Sequence, residues 1–88
     1  MAKKRDLLTR MADNPAGDWS ISDVEKLCRT EGMTLTPPSS GSHYLVTSPY
    51  LHGQVTVPYK RPIKKRYIKQ LVSYTGAHRG LLERKSDG

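Results

Sequence analysis

The sequence predicts an α+β fold, a two-layer (α)-α-β-β-β-α sandwich with a three-stranded antiparallel sheet and the two main helices on one face. Three observations predict it. An amphipathic segment follows Ser20, three short segments of alternating polarity follow that, and a second helical pattern closes the chain. Alternating strands bury one face only, so both helices must cover the same side of the sheet. With 88 residues, the chain is long enough for one small domain.

The first nineteen residues are predicted to form an N-terminal arm that contains a short helix over residues 3–12. Leu7, Leu8 and Met11 share one side of that helix. The helix would end before Asn14-Pro15-Ala16-Gly17, which is a turn signal. A basic, partly frayed arm is the alternative interpretation of this segment.

The next helix has clear start and stop signals. Ser20 can cap its first turn, and Asp23 three positions later completes a capping pattern. Gly32 is a natural end. Its apolar stripe comprises Ile21, Val24, Leu27 and Cys28. Cys28 is the single cysteine, so an internal disulfide is excluded, and its place on the stripe predicts a buried, unreactive thiol.

Three strands are predicted at about residues 33–36, 42–47 and 54–57. Tyr44 and Val46 should share the core face with the alternating valines of the third strand, Val55 and Val57. His43 then lies on the opposite face and is accessible. The same alternation leaves Leu45 exposed, which makes it a candidate contact residue.

The last helix is predicted to hold Pro62 in its first turn, where the missing N–H is not needed. Ile63, Tyr67, Leu71 and Tyr74 form its apolar stripe, flanked by Ile68 and Val72. Gly76 is predicted to cap it. The folded domain is therefore expected over residues 20–76, and residues 77–88 are expected to form a flexible C-terminal tail.

Positive charge is concentrated in the second half of the chain. Residues 1–33 hold six Lys/Arg and six Asp/Glu, whereas residues 34–82 hold seven Lys/Arg and no acidic residue. This asymmetry favours an anionic partner, either nucleic acid or an acidic protein, over a role in solubility alone. No apolar run is long enough to span a membrane and no signal sequence is evident, so we expect a soluble, cytoplasmic protein that does not bind membranes.

Three motifs occur in order: Gly41-Ser42-His43 at a strand, Thr56-Val57-Pro58 at the next strand, and a basic helix after it. Over about residues 20–76 this arrangement resembles the HicA family of mRNA interferase toxins, also called YcfA-like, which have the fold of double-stranded-RNA-binding domains. Tyr44 and the Tyr59-Lys60 region stand where many members of that family carry further histidines.

The resemblance implies an endoribonuclease of a type II toxin–antitoxin system, with mRNA as substrate, His43 as its key residue and a HicB-type antitoxin as partner. A neutral imidazole is suited to take a proton from a ribose 2′-hydroxyl. From their charge and position, Lys60, Arg61, Lys64 and Lys65 are candidates for phosphate binding, and Ser42 is a candidate positioning group. No metal or other cofactor is expected, because the three histidines and the single cysteine are not spaced as ligands.

Other interpretations stay open at this point. His43 can be a structural histidine bonded to backbone. The chain can also be a non-catalytic RNA-binding module of the same fold, or a domain whose basic face docks an acidic protein. His52 is expected to be a solvated turn residue, and His78 a passive residue of the tail.

Overall fold

The computed structural model describes residues 6–87 and their side chains as far as residue 81. The elements are α1 (Leu7–Asp13), α2 (Ile21–Glu31), β1 (Thr34–Thr36), β2 (His43–Thr47), β3 (Val55–Pro58) and α3 (Lys65–Asp87). The α+β prediction is confirmed, with three helices and a three-stranded antiparallel sheet in the order β1-β2-β3. The predicted helix over residues 3–12 begins at Leu7, and residues 3–5 lie outside the described residues.

The sheet has the predicted register. Tyr44 pairs with Val57 and Val46 pairs with Val55, so these four side chains share a face. Val46, Val55 and Val57 are buried against the helices, with α2 next to β1 and α3 next to β3. Leu45 lies on the opposite face, as predicted, but it is half-buried rather than exposed.

The helix α2 begins and ends where its local chemistry requires. The Asp23 carboxylate accepts a hydrogen bond from the Ser20 backbone N–H at 2.9 Å and another from the Ser20 hydroxyl at 3.2 Å. Gly32 has φ 81°, in the left-handed region that ends many helices, and its N–H donates to the Cys28 carbonyl. The stripe of α2 is buried as predicted at Val24, Leu27 and Cys28.

The core extends on both sides of the predicted 20–76 domain. Leu8 and Met11 of α1 are buried, and α1 packs against both α3 and α2. The carboxylate of Asp6 caps α1 by accepting from the Thr9 N–H at 2.9 Å. Residues 1–19 therefore include a helix that completes the core.

The helix α3 corrects two predictions. It begins at Lys65, so Pro62 precedes it rather than lying in its first turn. It also continues through Gly76 to Asp87, so Gly76 is not a cap and the predicted tail from residue 77 is helical in the described residues. Among its residues up to Leu81, whose side chains are described, the fully buried ones are Ile68, Leu71, Thr75 and His78, a stripe that is half polar. A search for apolar periodicity misses the second half of such a stripe.

The segment before α2 and the segment before α3 are joined by a backbone hydrogen bond. The Trp19 carbonyl accepts from the Ile63 N–H at 2.9 Å, and the Trp19 indole N–H donates to the Asn14 carbonyl at 2.7 Å. Trp19 is partly buried and packs against the core. The backbone bond places the segment before α3 next to the first turn of α2, which brings together the residues of the candidate site.

Candidate active site and basic surface

His43 is the first residue of β2 and its side chain is exposed. Its cross-strand partner is Pro58. The Tyr59 N–H donates to the Ser42 carbonyl at 2.7 Å, so the next pair along, His43 with Pro58, is a non-hydrogen-bonded pair, with Cβ atoms about 5 Å apart. Pro58 fits there because its missing N–H faces away from β2. Within the described part of the chain, no group hydrogen-bonds to the His43 ring.

A basic cavity of about 170 Å³ adjoins that strand pair. Its lining residues are Pro58, Lys60, Pro62, Lys64, Arg66 and Tyr67. Among the described residues, no carboxylate lines it. Pro58 is the cross-strand neighbour of His43 and also lines this cavity, whereas His43 itself does not line it. The cavity offers three cations to a phosphate, and the exposed imidazole lies one residue pair away across the strands.

The predicted phosphate-binding residues divide into two groups. Lys60 and Lys64 line the basic cavity, whereas Lys65 is exposed at the start of α3 and does not line it. Arg61 binds the carboxylate of Asp18 through two hydrogen bonds of 3.1 Å. Those bonds hold the pKa of Asp18 below its ordinary value, so the Arg61 charge is already paired. Ser42 is exposed and contributes its backbone carbonyl to the strand pairing.

Arg66 is a cavity residue that sequence reasoning missed. Its guanidinium carbon lies 4.9 Å from the centre of the Tyr67 ring, and one of its N–H groups donates to the Tyr67 hydroxyl at 3.1 Å. Arg66 shares the cavity with Pro58 and Lys60, which precede α3 in the chain, and only the folded segment between β3 and α3 brings them together.

A second cavity lies on the other side of Lys60. It has a volume of about 260 Å³ and is lined by Ser20, Ile21, Ser22, Tyr59, Lys60 and Arg61. We call it the Tyr59 cavity. Tyr59 is 67% exposed, the largest exposure of any big apolar side chain in the described residues. Its ring centre lies 6.1 Å from that of Tyr44, at a tilt of 34°. Lys60 lines both cavities, so they adjoin at this residue.

The other two histidines have different surroundings. His52 is exposed in the loop between β2 and β3, as predicted. His78 is 1% exposed, which corrects its assignment to a passive tail. Its Nε2 lies 2.6 Å from the Glu31 carbonyl, which can only accept, so Nε2 donates. Its Nδ1 lies 2.7 Å from the Ser48 hydroxyl, which is also buried.

The Ser48–His78 pair has the contact expected of a serine nucleophile and its base, but its environment is that of a core. The Ser48 oxygen accepts from the Tyr50 N–H at 3.0 Å, and the Tyr74 hydroxyl accepts from the Ser48 N–H at 2.9 Å. The same Tyr74 hydroxyl donates to the Gly53 carbonyl at 2.9 Å. These bonds fasten the loop between β2 and β3 to α3, so the pair is structural.

Cys28 is buried, as predicted, and burial together with the nearby Glu25 charge raises the pKa of its thiol to about 11. A buried thiol that stays protonated at neutral pH is a poor nucleophile. Among the residues whose side chains are described, no three His, Cys, Asp or Glu side chains form a group suited to a metal ion.

In comparisons with protein-family models, with curated proteins and with solved structures, nothing matches this chain. Within the described residues, none of the helices combines the length and the apolar character needed to cross a bilayer.

Proposed function

We propose that this chain is an endoribonuclease, the toxin of a type II toxin–antitoxin system of the HicA kind, acting on mRNA in the cytoplasm. His43 is its general acid/base. The observation that supports this proposal is the pairing of exposed His43 with Pro58, which is itself a wall of the cavity that holds Lys60, Lys64 and Arg66. The proposal requires this imidazole to reach a phosphate held by those three cations, which is the arrangement that RNA cleavage needs.

The chemistry needs no nucleophile from the protein, because RNA carries its own. His43 takes the proton from a ribose 2′-hydroxyl, and the 2′-oxygen then attacks the adjacent phosphorus. The P–O5′ bond breaks, the 5′-oxygen leaves with a proton returned by the imidazolium, and the products are a 2′,3′-cyclic phosphate and a 5′-hydroxyl. Lys60, Lys64 and Arg66 offset the charge that develops on the phosphorane oxygens. No metal or cofactor is required for these steps.

The partner that fits this surface is an acidic protein, a HicB-type antitoxin that covers the site. The support is electrostatic: residues 34–82 carry seven basic residues and no acidic one, and the basic cavity is exposed. RNA and antitoxin would then compete for the same cations, which is how the partner holds the activity in check.

The test is RNA cleavage by the purified chain and by His43→Ala. We expect the variant to lose about 10²- to 10⁴-fold in rate, the typical contribution of one general base. His52→Ala is the matched control, because His52 is also an exposed histidine but lies in the distant loop, and it should cleave like the unaltered chain. The products should carry cyclic phosphate ends. Equal rates for His43→Ala and the unaltered chain would remove the catalytic role.

A non-catalytic RNA-binding module is the second candidate. One observation favours it: within the described residues, the His43 ring has no hydrogen-bond partner of the kind that orients a catalytic base. For this candidate, RNA affinity would fall steeply with salt while no cleavage exceeds that of His43→Ala. The two candidates are therefore separated by the cleavage assay, and both require the basic cavity.

A further inference from the structure

Tyr59 has an unusual position for a large aromatic side chain. It is 67% exposed and follows directly after β3. Its backbone is fixed, because its N–H donates to the Ser42 carbonyl at 2.7 Å, and its ring has Tyr44 as a neighbour at 6.1 Å. An aromatic ring with an anchored backbone, and with most of its surface facing water, is available for stacking with a ligand.

The surroundings of that ring are polar and partly cationic. Two serine residues, Ser20 and Ser22, also line the Tyr59 cavity, and Lys60 lines both this cavity and the basic cavity. Arg61 contributes less charge, because Asp18 pairs with it. At about 260 Å³ the space is below the roughly 300–1,000 Å³ typical of drug-sized ligand sites, so it suits a single flat ring system.

The two cavities together match one nucleotide of a single-stranded nucleic acid, which presents an unpaired base and, a few ångströms away, a phosphate. We propose that Tyr59 is the stacking platform of a nucleobase subsite for single-stranded nucleic acid, with the base in the Tyr59 cavity and the neighbouring phosphate on Lys60, Lys64 and Arg66. This inference deepens the proposed function and rests on it for the identity of the polymer. It adds the requirement that at least one base is unpaired.

A base inside a duplex is already stacked on its neighbours and cannot reach Tyr59. The subsite therefore selects single strands, loops and ends over continuous duplex, although the fold class alone is compatible with duplex binding. The Ser20 hydroxyl already donates to Asp23, and the Ser22 hydroxyl can both donate and accept, so the serines distinguish weakly between bases. The contribution of stacking is likewise tolerant of sequence.

The experiment uses a fluorescein-labelled 2′-O-methyl RNA octamer, which lacks the 2′-hydroxyl nucleophile and cannot be cleaved, with fluorescence anisotropy as the readout. Tyr59→Ala should weaken binding about 5- to 150-fold, which corresponds to the roughly 1–3 kcal/mol that a stacked base contributes. Tyr59→Phe keeps the ring and should bind within about twofold of the unaltered chain. Circular dichroism of the variants checks the fold.

A second measurement changes the nucleic acid instead of the protein and then combines the two changes. Octamers with an abasic residue moved along the chain should bind the unaltered protein less well at one position at least, and a fully paired duplex of the same length should bind more weakly than the single strand. At the abasic position that weakens binding, the further effect of Tyr59→Ala should disappear, because the base that stacks on the ring is already absent.

Lys60→Gln tests the link between the cavities. The slope of log affinity against log salt should fall by about one, whereas Lys26→Gln, an exposed lysine on α2, should leave it unchanged. Wild-type affinity for Tyr59→Ala, equal losses for Tyr59→Ala and Tyr59→Phe, or tighter binding of the duplex would each overturn the subsite. If the subsite results hold while the chain cleaves no RNA, the subsite stands and the nuclease proposal fails.

Discussion

At the scale of single residues, Arg79 links three helices: it lies within α3 and contacts the end of α2 and the start of α1. From α3 it donates to the carboxylates of Glu31, at the end of α2, and Asp6, at the start of α1. The Glu31 side chain is 7% exposed and the Asp6 side chain 46%, so the two ion pairs differ in environment. Hydrogen bonds from Thr9 and Arg79 hold the pKa of Asp6 well below its ordinary value.

The substitution Asp6→Asn tests the ion pair between Asp6 and Arg79. Asparagine caps helices as well as aspartate does, so the change removes the ion pair with Arg79 and keeps the cap. Because the folded pKa of Asp6 is lowered, its stabilisation is present above about pH 4 and is lost as the pH falls below that value. We expect the variant to be less stable by under about 1 kcal/mol at pH 7, since the pair is partly exposed.

The measurement is thermal unfolding of both proteins at pH 7 and at several values below 4. The difference in free energy of unfolding should shrink towards zero in acid. A difference that is constant across this range would mean that the Asp6 charge makes no contribution.

Individual side chains were predictable where strand alternation decides them. The exposure of His43 followed from the burial of Val46, which lies on the other face of the strand. The burial of Cys28 followed from its place on the apolar stripe of α2. Arg61 could not be assigned in the same way. Its partner Asp18 lies 43 positions earlier in the chain, and only the folded loops bring the two together. The same limit applies to the partners of His78.

At the scale of elements, the two glycines that were predicted as helix ends behave differently. Gly32 has φ 81°, whereas Gly76 lies inside α3 and is absent from the glycines with positive φ. A Cβ at Gly76 would meet no atom within 4 Å, and neither would one at Gly32. The backbone angle alone therefore distinguishes the two positions.

Gly76→Ala should stabilise the protein by about 0.4–1 kcal/mol, because alanine reduces the freedom of the unfolded chain and favours helix. Gly32→Ala is the matched control and should destabilise it by about 1 kcal/mol, because alanine is strained in the left-handed region. Urea unfolding measures both. Loss of stability in Gly76→Ala would contradict the continuous helix.

The sequence predicted α2 and the sheet well because their boundaries are written locally, in Ser20, Asp23 and Gly32 and in the alternation of β2 and β3. The extent of α3 beyond Gly76 has no such local sequence signal. Thr75 satisfies its hydroxyl by donating to the Leu71 carbonyl at 2.7 Å, and His78 depends on Ser48 and Glu31. Buried polar residues with distant partners look like surface residues in a sequence.

At the scale of the whole molecule, the core is assembled from both ends of the chain. Met11 and Leu8 come from α1, and His78 comes from the second half of α3. The predicted folding unit, residues 20–76, contains none of these side chains. Its sheet would lose no strand, but the layer of helices on the sheet would be incomplete.

We therefore expect the fragment 20–76 to be unfolded by circular dichroism while the full chain is folded. In the full chain, Met11→Ala should cost about 2–5 kcal/mol, because it leaves a cavity at a fully buried site. Arg10→Ala, an exposed neighbour on the same helix, should change stability by less than about 0.5 kcal/mol. A cooperative unfolding transition of the fragment would show that α1 is dispensable.

Lys60, Lys64 and Arg66 share a cavity of about 170 Å³ with no neighbouring carboxylate in the described residues, so they repel one another whenever the site is empty. Replacing one of them by a neutral residue relieves that mutual repulsion and weakens the capture of anions in the same step. At these positions, selection for higher folding stability and selection for higher anion affinity therefore act in opposite directions.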